Sequence, residues 1–431
     1  MLSSTRFLNV PYHRNLIFVS STLLFLIATS AAFADNWPQW RGIDNDCISK
    51  EKNLPTEWSE KNNVAGKLKL PGMGSGTPAV WGDHIFLTAE DDQDLYALCV
   101  STAGKELWKS NVGPSDGKKG RNESNEASPS PCTDGKNAYF FFGTGDLACF
   151  DFAGKEQWII NVQDRYGKMA FQHGGIHATP VLYGDRLYLQ LLNRNGSNVV
   201  ALDKMTGKEV WKVSRPSDGV GEGLEVYASP TIGHNGKEDY LIVHGNDYAT
   251  GHSLKDGSEL WRVGGLNDKQ RYNRQFRFVT SPTATSDVIV VPSCKGGPVL
   301  GIKPDVKGTI ADGSSSELWR YNKTPDVCSP LVVDGLVYLC GDGTLTCIDA
   351  KTGKEFYKER THSGIFRGSP VYADGKIYLP CQDGNTIVVK AGTQFEILAT
   401  NDLSDRINAT VVVADGHLYI RGWDSLYAIG K

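Results

Sequence analysis

The feature that most constrains the fold of this 431-residue chain is a Ser-Pro or Thr-Pro step that recurs every 40–52 residues. After each step come short apolar runs, separated by Gly-Asp or Asp-Gly turns and followed by an acid-and-glycine turn before an aromatic residue. Such turns between alternating apolar residues favour tight hairpins, so each period predicts four antiparallel strands. The steps are Thr77-Pro78, Ser128-Pro129, Thr179-Pro180, Ser229-Pro230, Ser281-Pro282, Ser329-Pro330 and Ser369-Pro370, with an eighth copy at Ala409-Thr410-Val411.

Eight such units predict a closed ring, because radial repetition protects strand edges that a flat stack of sheets leaves exposed. The eighth unit stops after its third strand, and residues 63–70 have the pattern of the missing fourth strand. We therefore predict an all-β fold, a single eight-bladed β-propeller of four-stranded antiparallel blades over residues 63–431. An N-terminal strand completes the last blade, and residues 35–62 form an N-terminal extension.

The first 34 residues have the pattern of an export signal. Arg6 and Arg14 precede an apolar run at residues 16–32, which ends in the small-x-small sequence Ala32-Phe33-Ala34. We predict a signal peptide, residues 1–34, cleaved after Ala34, and a periplasmic or secreted, monomeric mature chain without a membrane span. An uncleaved anchor is the alternative, because the apolar run approaches the length that crosses a bilayer.

Charge and cysteine content exclude several classes of function. The formal charge of −4 becomes −6 once the two leader arginines are removed, and nucleic-acid binding needs a basic face, so we expect no nucleic-acid partner. The nine cysteines contain no Cys-x-x-Cys spacing and no adjacent pair. Several stand at apolar repeat positions, which favours buried free thiols.

One stretch of the repeat resembles a known family. The sequence Ala201-Leu-Asp-Lys-Met-Thr-Gly-Lys-Glu-Val-Trp211 resembles the tryptophan-docking repeat of the quinoprotein alcohol dehydrogenase-like propellers, which are built from pyrroloquinoline-quinone-like repeats. In that family each such Trp packs against the neighbouring blade. The resemblance implies this structural docking role for Trp108, Trp158, Trp211, Trp261, Trp319 and Tyr357. It also places Phe395 and Gly66 at the aromatic positions of the last two blades.

The resemblance leaves two functions open. Dehydrogenases of this family hold pyrroloquinoline quinone against Ca²⁺ with a Glu, an Asn and an Asp base, and Glu126 or Glu225 with Asn408 are the conceivable ligands here. The chain has neither their adjacent cysteine pair nor a Cys-x-x-Cys-His haem motif. Other members bind no quinone, so the fold alone does not imply an enzyme.

We therefore expect an exported, non-catalytic propeller without a cofactor, which binds a protein, peptide or saccharide partner in the cell envelope. It is similar in fold to the propeller subunit of the bacterial outer-membrane barrel assembly machinery. The alternative is an oxidoreductase that uses pyrroloquinoline quinone with Ca²⁺.

The candidate ligand residues precede the Ser/Thr-Pro steps. Positions three and five residues before each Pro share one face of an extended strand, and we predict that this face lines the channel mouth. The ligand candidates among them are Glu126, His177, Glu225, Tyr227, Arg277, Arg367, Arg406 and Asn408. The alternative is that these charges neutralise one another in a water-filled channel. His173 and His177 predict no metal site, because the glycines between them disfavour a helix.

Overall fold

The computed structural model describes Met1 and residues 36–117, 124–172, 174–294, 296–323 and 325–430. The predicted signal peptide, apart from Met1, and His173 lie outside these residues. No helix in the described part of the chain is long and apolar enough to cross a membrane.

All strands of the described chain belong to eight small sheets, and these sheets confirm the eight-bladed β-propeller. Two strands precede the first blade: β1 (Ile48–Ser49) and β2 (Val64–Lys69). Blades 1 to 4 comprise β3 (Ala79–Trp81), β4 (His84–Glu90), β5 (Asp94–Ser101) and β6 (Glu106–Pro114); β7 (Cys132–Thr133), β8 (Asn137–Phe141), β9 (Asp146–Asp151) and β10 (Glu156–Asn161); β11 (Val181–Tyr183), β12 (Arg186–Asn193), β13 (Gly196–Asp203) and β14 (Glu209–Ser214); and β15 (Thr231–His234), β16 (Asp239–Gly245), β17 (Tyr248–Ser253) and β18 (Glu259–Val263).

The second half of the ring repeats this plan with one addition. Blades 5 to 8 comprise β19 (Thr283–Ala284), β20 (Ile289–Pro292), β21 (Val299–Ile302) and β23 (Glu317–Tyr321); β24 (Leu331–Val333), β25 (Leu336–Gly341), β26 (Thr344–Asp349) and β27 (Glu355–Arg360); β28 (Val371–Ala373), β29 (Lys376–Pro380), β30 (Asn385–Lys390) and β31 (Ile397–Asp402); and β32 (Val412–Ala414), β33 (His417–Arg421), β34 (Ser425–Ile429) and β2. The added strand, β22 (Gly308–Ile310), pairs in parallel with β18. A short helix α1 (Val162–Tyr166) and a 3₁₀ turn (Gly221–Leu224) lie in the connections.

The turns and the core follow from the sequence pattern. Asp374 and Gly375 join β28 to β29 with φ values of 52° and 73°, the left-handed pair that a two-residue hairpin turn requires. Central strands such as β21 are buried along their whole length, because each sheet packs between two neighbours. The sequences of such strands are therefore continuous apolar runs and do not alternate between apolar and polar residues.

The last blade is completed from the other end of the chain, as predicted. Strand β2 pairs antiparallel with β34, so that Leu68 lies opposite Leu426. Lys69 and Asp424 form an ion pair at the end of this pairing. The eighth blade therefore contains strands from both ends of the propeller.

A second closure runs around the innermost strands. In each blade the backbone N–H of the Ser or Thr in the repeated step donates to the hydroxyl of the corresponding residue in the next blade. The bonds run from Thr77 to Ser130, Thr179, Ser229, Ser281, Ser329, Ser369, Thr410 and back to Thr77, with lengths of 2.8–3.1 Å. We call this cycle of eight hydrogen bonds the hydroxyl ring.

The hydroxyl ring corrects one sequence assignment. Ser130, not Ser128, makes the ring contacts in blade 2, so the repeated step there is Ser130-Pro131. The prediction of Ser128-Pro129 was wrong because Ser128-Pro129-Ser130-Pro131 contains two consecutive steps, and spacing alone could not separate them. Glu126 consequently moves from the third to the fifth position before the proline.

The N-terminal extension crosses one end of the channel. Trp37 forms a backbone bridge with Val80 of blade 1, and the Arg41 Nη1 donates to the Pro282 carbonyl of blade 5 on the opposite side of the ring, at 2.6 Å. Strand β1 then pairs in parallel with β28 of blade 7. All these contacts lie at or beyond the Ser/Thr-Pro steps, so the extension covers the end of the channel that is remote from the candidate ligand residues.

Candidate functional site

The rim before the hydroxyl ring forms a mouth whose side chains face the channel. Eight residues, each two positions before a ring hydroxyl, are half-buried, and the residue after each of them is buried in every blade. This uniform alternation places one side chain per blade toward the channel. We define the mouth by these residues: Ser75, Ser128, His177, Tyr227, Val279, Val327, Arg367 and Asn408.

The mouth differs from the sequence prediction in two respects. Its residues lie in extended segments that lead into the innermost strands, and not on the strands themselves. In blade 2 the mouth residue is Ser128, whose hydroxyl lies 2.9 Å from that of Ser75. Glu126, which was predicted at this position, lies two residues earlier and is buried.

One group of predicted residues does come together, at the boundary between blades 3 and 4. The Tyr227 hydroxyl donates to Glu225 Oε2 at 2.8 Å, and the Tyr227 ring centroid lies 5.3 Å from the His177 ring and 5.7 Å from the Phe171 ring. The Arg194 guanidinium donates to Glu225 Oε1. Glu225 is fully buried, so its charge is neutralised by Arg194 within the protein.

Glu126 belongs to a separate buried pair of acids on blades 1 and 2. The Ser115 hydroxyl lies 2.9 Å from both Glu90 Oε1 and Glu126 Oε2, and Glu90 Oε2 accepts from the Glu126 backbone N–H at 2.7 Å. Burial raises the pKa of Glu126, and the nearby Glu90 carboxylate adds to this effect. A hydroxyl carries one proton, so both contacts of Ser115 are hydrogen bonds only when one of the two acids is protonated.

The remaining candidates lie on the same rim, in the segments that lead into blades 5, 7 and 8. Arg277 Nη1 lies 3.8 Å from Glu222 Oε2, the Arg406 guanidinium lies 5.4 Å from the Trp423 ring centroid, and Asn408 Oδ1 accepts from Gln382 Nε2 at 3.0 Å. Arg277, Arg367 and Arg406 are all half-buried. The structure thus groups His177, Glu225 and Tyr227. It places Glu126 and the other four candidates away from this group, at other blades.

Three residues that shape the site were not predicted. Arg194 lies in the turn between β12 and β13, Glu90 ends β4, and Gln382 lies between β29 and β30. The turns between second and third strands lie on the same rim as the segments before the Ser/Thr-Pro steps. A search of those turns for polar residues could have found Arg194 and Gln382.

The predicted docking side chains lie at blade boundaries. The indole N–H groups of Trp108, Trp158, Trp211 and Trp319 donate to backbone carbonyls of the next blade at 2.7–3.1 Å. Gly207 shows why the receiving turn contains glycine: its φ is 64°, and a side chain there would collide with Trp158. Trp261 is buried, and Tyr357 packs against Phe395 with ring centroids 5.4 Å apart.

Blade 7 obtains its tryptophan from the extension. Ala399 pairs with Val388 as Trp211 pairs with Ala201, so Ala399 occupies the tryptophan position, and the prediction of Phe395 was wrong. The buried Trp58 ring lies 6.4 Å from the Tyr378 ring, close to the 6.2 Å between Trp158 and Tyr139. Trp58, which lies outside the repeat, therefore fills the space that the small Ala399 side chain leaves.

Four-stranded blades, indoles that donate into the next blade and closure by an N-terminal strand define a propeller of pyrroloquinoline-quinone-like repeats. The sequence model of one family matches residues 56–190, 168–315 and 309–430. The chain therefore belongs to that family, which is described as outer membrane protein assembly factor BamB. No curated protein matches the sequence.

Solved structures with the same fold include both a BamB and dehydrogenases. BamB from Moraxella catarrhalis is 14% identical with a TM-score of 0.61, covering 85% of this chain and 99% of that one. A europium-containing methanol dehydrogenase is 11% identical with a TM-score of 0.69, covering 90% and 89%. The quinohemoprotein alcohol dehydrogenase of Comamonas testosteroni is 13% identical with a TM-score of 0.69, covering 91% and 80%. At these identities the likeness concerns the fold.

Proposed function

We propose that this chain is an exported, non-catalytic propeller that binds an acidic segment of a protein partner at its mouth, in the cell envelope. The observation that carries the proposal is the division of charge at this rim. The acids Glu126 and Glu225 are buried, whereas the arginines Arg277, Arg367 and Arg406 are half-exposed. The family description, an assembly factor of outer membrane proteins, supports an envelope protein as the partner.

The side chains of the mouth suit a protein partner. The rings of Phe171, His177 and Tyr227 form a half-buried aromatic group beside Arg194. Aromatic residues and arginine contribute most to protein interfaces, because they bury a large area at a small entropic cost. Arg277, Arg367 and Arg406, on the same rim at three other blades, add a complementary charge for carboxylates.

The donor set argues against the alternative of pyrroloquinoline quinone with Ca²⁺. Glu225 already accepts from Arg194, Tyr227 and the Gln172 backbone N–H, and the guanidinium would repel a bound cation. Glu126, the other conceivable acid, accepts from the Ser115 hydroxyl and the Asp116 backbone N–H. Asn408 leads into blade 8, opposite blade 4 in the ring. Ca²⁺ requires six to eight oxygens around one point, which these residues do not supply together. We therefore derive no catalytic step.

The test is site-specific photo-crosslinking in the envelope of the native host. Tyr227 is replaced by p-benzoylphenylalanine at the mouth, and Phe356, exposed on the outermost strand of blade 6, is replaced in the same way as the control. We expect a discrete crosslinked protein at position 227 and none at 356. Equal crosslinking at both positions, or none at 227, would reject the proposal.

Charge reversal tests the acidic character of the partner. The combined substitutions Arg277→Glu, Arg367→Glu and Arg406→Glu should abolish the crosslink, whereas reversal of the exposed Lys105, Lys155 and Lys351 on turns away from the mouth should leave it unchanged. Calorimetric titration with the quinone and Ca²⁺, followed by a dye-linked alcohol oxidation assay, tests the alternative. Stoichiometric binding with turnover would overturn the non-catalytic proposal.

A further inference from the structure

A group of possible metal ligands lies on the rim of blade 7, beside the mouth but distinct from it. His362 lies in the connection between β27 and β28, and Cys381 and Asp383 lie in the turn between β29 and β30. One ligand atom from each of the three lies within 4.8 Å of the other two. Two separate chain segments thus bring an imidazole, a thiol and a carboxylate together.

The separations suit a small tetrahedral ion after a modest adjustment. His362 Nε2 lies 2.7 Å from Asp383 Oδ2 in a direct hydrogen bond. Bonds of about 2.0–2.3 Å to a tetrahedral zinc ion place ligand atoms about 3.3–3.8 Å apart. The imidazole and the carboxylate therefore need to separate by about 1 Å, a movement within reach of side-chain rotation.

The surroundings hold the ligands in position. Asn385 donates to Asp383 Oδ1 from its backbone and its side chain, at 3.2 and 3.1 Å, which leaves Oδ2 directed at His362. Such outer contacts commonly fix the orientation of ligating carboxylates. Gly364 leaves the centre of the group open, because a Cβ there would lie 2.5 Å from Cys381 Sγ and 2.8 Å from Asp383 Oδ2.

Exposure gives the site a buried side and an open side. Cys381 is fully buried, whereas 19% of the His362 side chain and 44% of the Asp383 side chain are exposed. An ion can therefore approach the buried thiol from the solvent side, where the imidazole and the carboxylate are exposed. The group offers three protein ligands, so a fourth position remains for water or another donor from solvent.

We propose that His362, Cys381 and Asp383 bind one Zn²⁺ ion with an open fourth position. Thiolate and imidazole ligands favour zinc over Mg²⁺ or Ca²⁺, which prefer oxygen ligands alone. On binding, the zinc–sulfur bond replaces the S–H bond of Cys381, and the proton leaves to solvent. Zinc binding does not require a mouth partner, so this proposal stands or falls independently of the proposed function.

The test uses untagged mature protein that has been treated with a chelator and dialysed. Calorimetric titration with Zn²⁺ and metal analysis should give one ion per chain. His362→Ala, Cys381→Ser and Asp383→Asn should each weaken binding at least tenfold, whereas His417→Ala and Cys149→Ser, a half-buried histidine and a buried cysteine elsewhere, should not. Co²⁺ should give a thiolate charge-transfer band that Cys381→Ser removes.

Circular dichroism of the metal-free variants separates a loss of ligands from a loss of folding. Asp383 lies on a partly exposed turn, so Asp383→Asn provides a folded variant even if Cys381→Ser does not fold. Absence of stoichiometric zinc from the wild-type protein would overturn the proposal. So would zinc binding of unchanged affinity in His362→Ala and Asp383→Asn.

Discussion

The backbone N–H of Thr410 donates to the hydroxyl of Thr77 at 3.1 Å, across 333 residues of sequence. This bond joins the first and last blades at the channel, while the pairing of β2 with β34 joins the chain ends within blade 8. The propeller is therefore closed twice, by a side-chain acceptor near the axis and by a backbone ladder further out.

The closing hydroxyl gives a first prediction. Thr77→Val keeps the branched shape but leaves the buried N–H of Thr410 without its acceptor, which should lower the free energy of unfolding by about 1–3 kcal/mol. Thr77→Ser keeps the hydroxyl and should stay within about 1 kcal/mol of the wild type. Denaturant unfolding measures the difference, and equal stability of the Val and Ser variants would contradict this role of the hydroxyl.

A second prediction concerns the tryptophan supplied by the extension. Trp58→Ala should cost about 3–5 kcal/mol, as expected for a buried tryptophan in a core. Trp158→Ala, within the repeat, should cost a similar amount, and Trp423→Ala, at a half-buried position, should cost less. Hydrogen exchange should localise the effect of Trp58→Ala to β29 and β31. An effect on stability smaller than that of Trp423→Ala would show that Trp58 does not replace the missing repeat residue.

These elements show how far the sequence determines the fold. The hairpin turns, the blade number and the closing strand were predictable, because each depends on local turn chemistry that repeats eight times. The place of Ser130 was not, because two adjacent Ser-Pro steps are equivalent until their neighbours in space are known. Trp58 was also missed, since it lies outside the repeat and its relation to Ala399 and Tyr378 is made only by tertiary packing.

The paired acids Glu90 and Glu126 give a third prediction, on pH. Folding raises the pKa of Glu126. Above the ordinary pKa of a glutamate, the native state therefore retains a proton that the unfolded chain has lost. The contribution of Glu126 to the free energy of unfolding consequently falls as the pH rises. Glu126→Gln cannot ionise, and its amide can still donate to Ser115. The stability of the variant relative to wild type should therefore increase from pH 4 to pH 8.

Thermal unfolding across this pH range measures that difference. Glu106→Gln, at an exposed position of β6, is the control and should show little pH-dependent change. A relative stability of Glu126→Gln that falls with rising pH would mean that Glu126 is stabilised in its charged form.

His244 gives a fourth prediction, for acid conditions. Burial, together with the nearby Arg215 guanidinium, lowers the pKa of His244 to about 3. The unfolded chain takes up a proton near the ordinary value of about 6.5, so His244 makes the protein lose stability as pH falls from there toward 3. Between pH 7 and 4 the wild type should lose about 3 kcal/mol more than His244→Gln.

Urea unfolding at a series of pH values measures both slopes, and His417→Gln at a half-buried position is the control. Parallel pH profiles for wild type and His244→Gln would show that His244 titrates in the folded protein as it does in the unfolded chain.

The site was less predictable than the fold. Counting back three residues from the repeated step selected seven of the eight mouth residues, because each blade presents the same segment in the same orientation. The fifth position also selected Glu225, which is buried. Counting could not identify which of them share a contact, since that depends on residues from other turns. Arg194 neutralises Glu225, and Glu90 adds to the effect of burial in raising the pKa of Glu126. Neither Arg194 nor Glu90 belongs to the counted positions.

The crossing of the channel by residues 37–49 has a consequence for the order of folding. The segment is synthesised before every surface that covers it, since Trp37, Arg41 and β1 bind blades 1, 5 and 7 in turn. Contacts of such sequence separation form late and slow the folding of a chain. A growing chain must therefore carry Trp58, which follows this segment, uncovered until the seventh blade exists, and β2 cannot pair before the eighth.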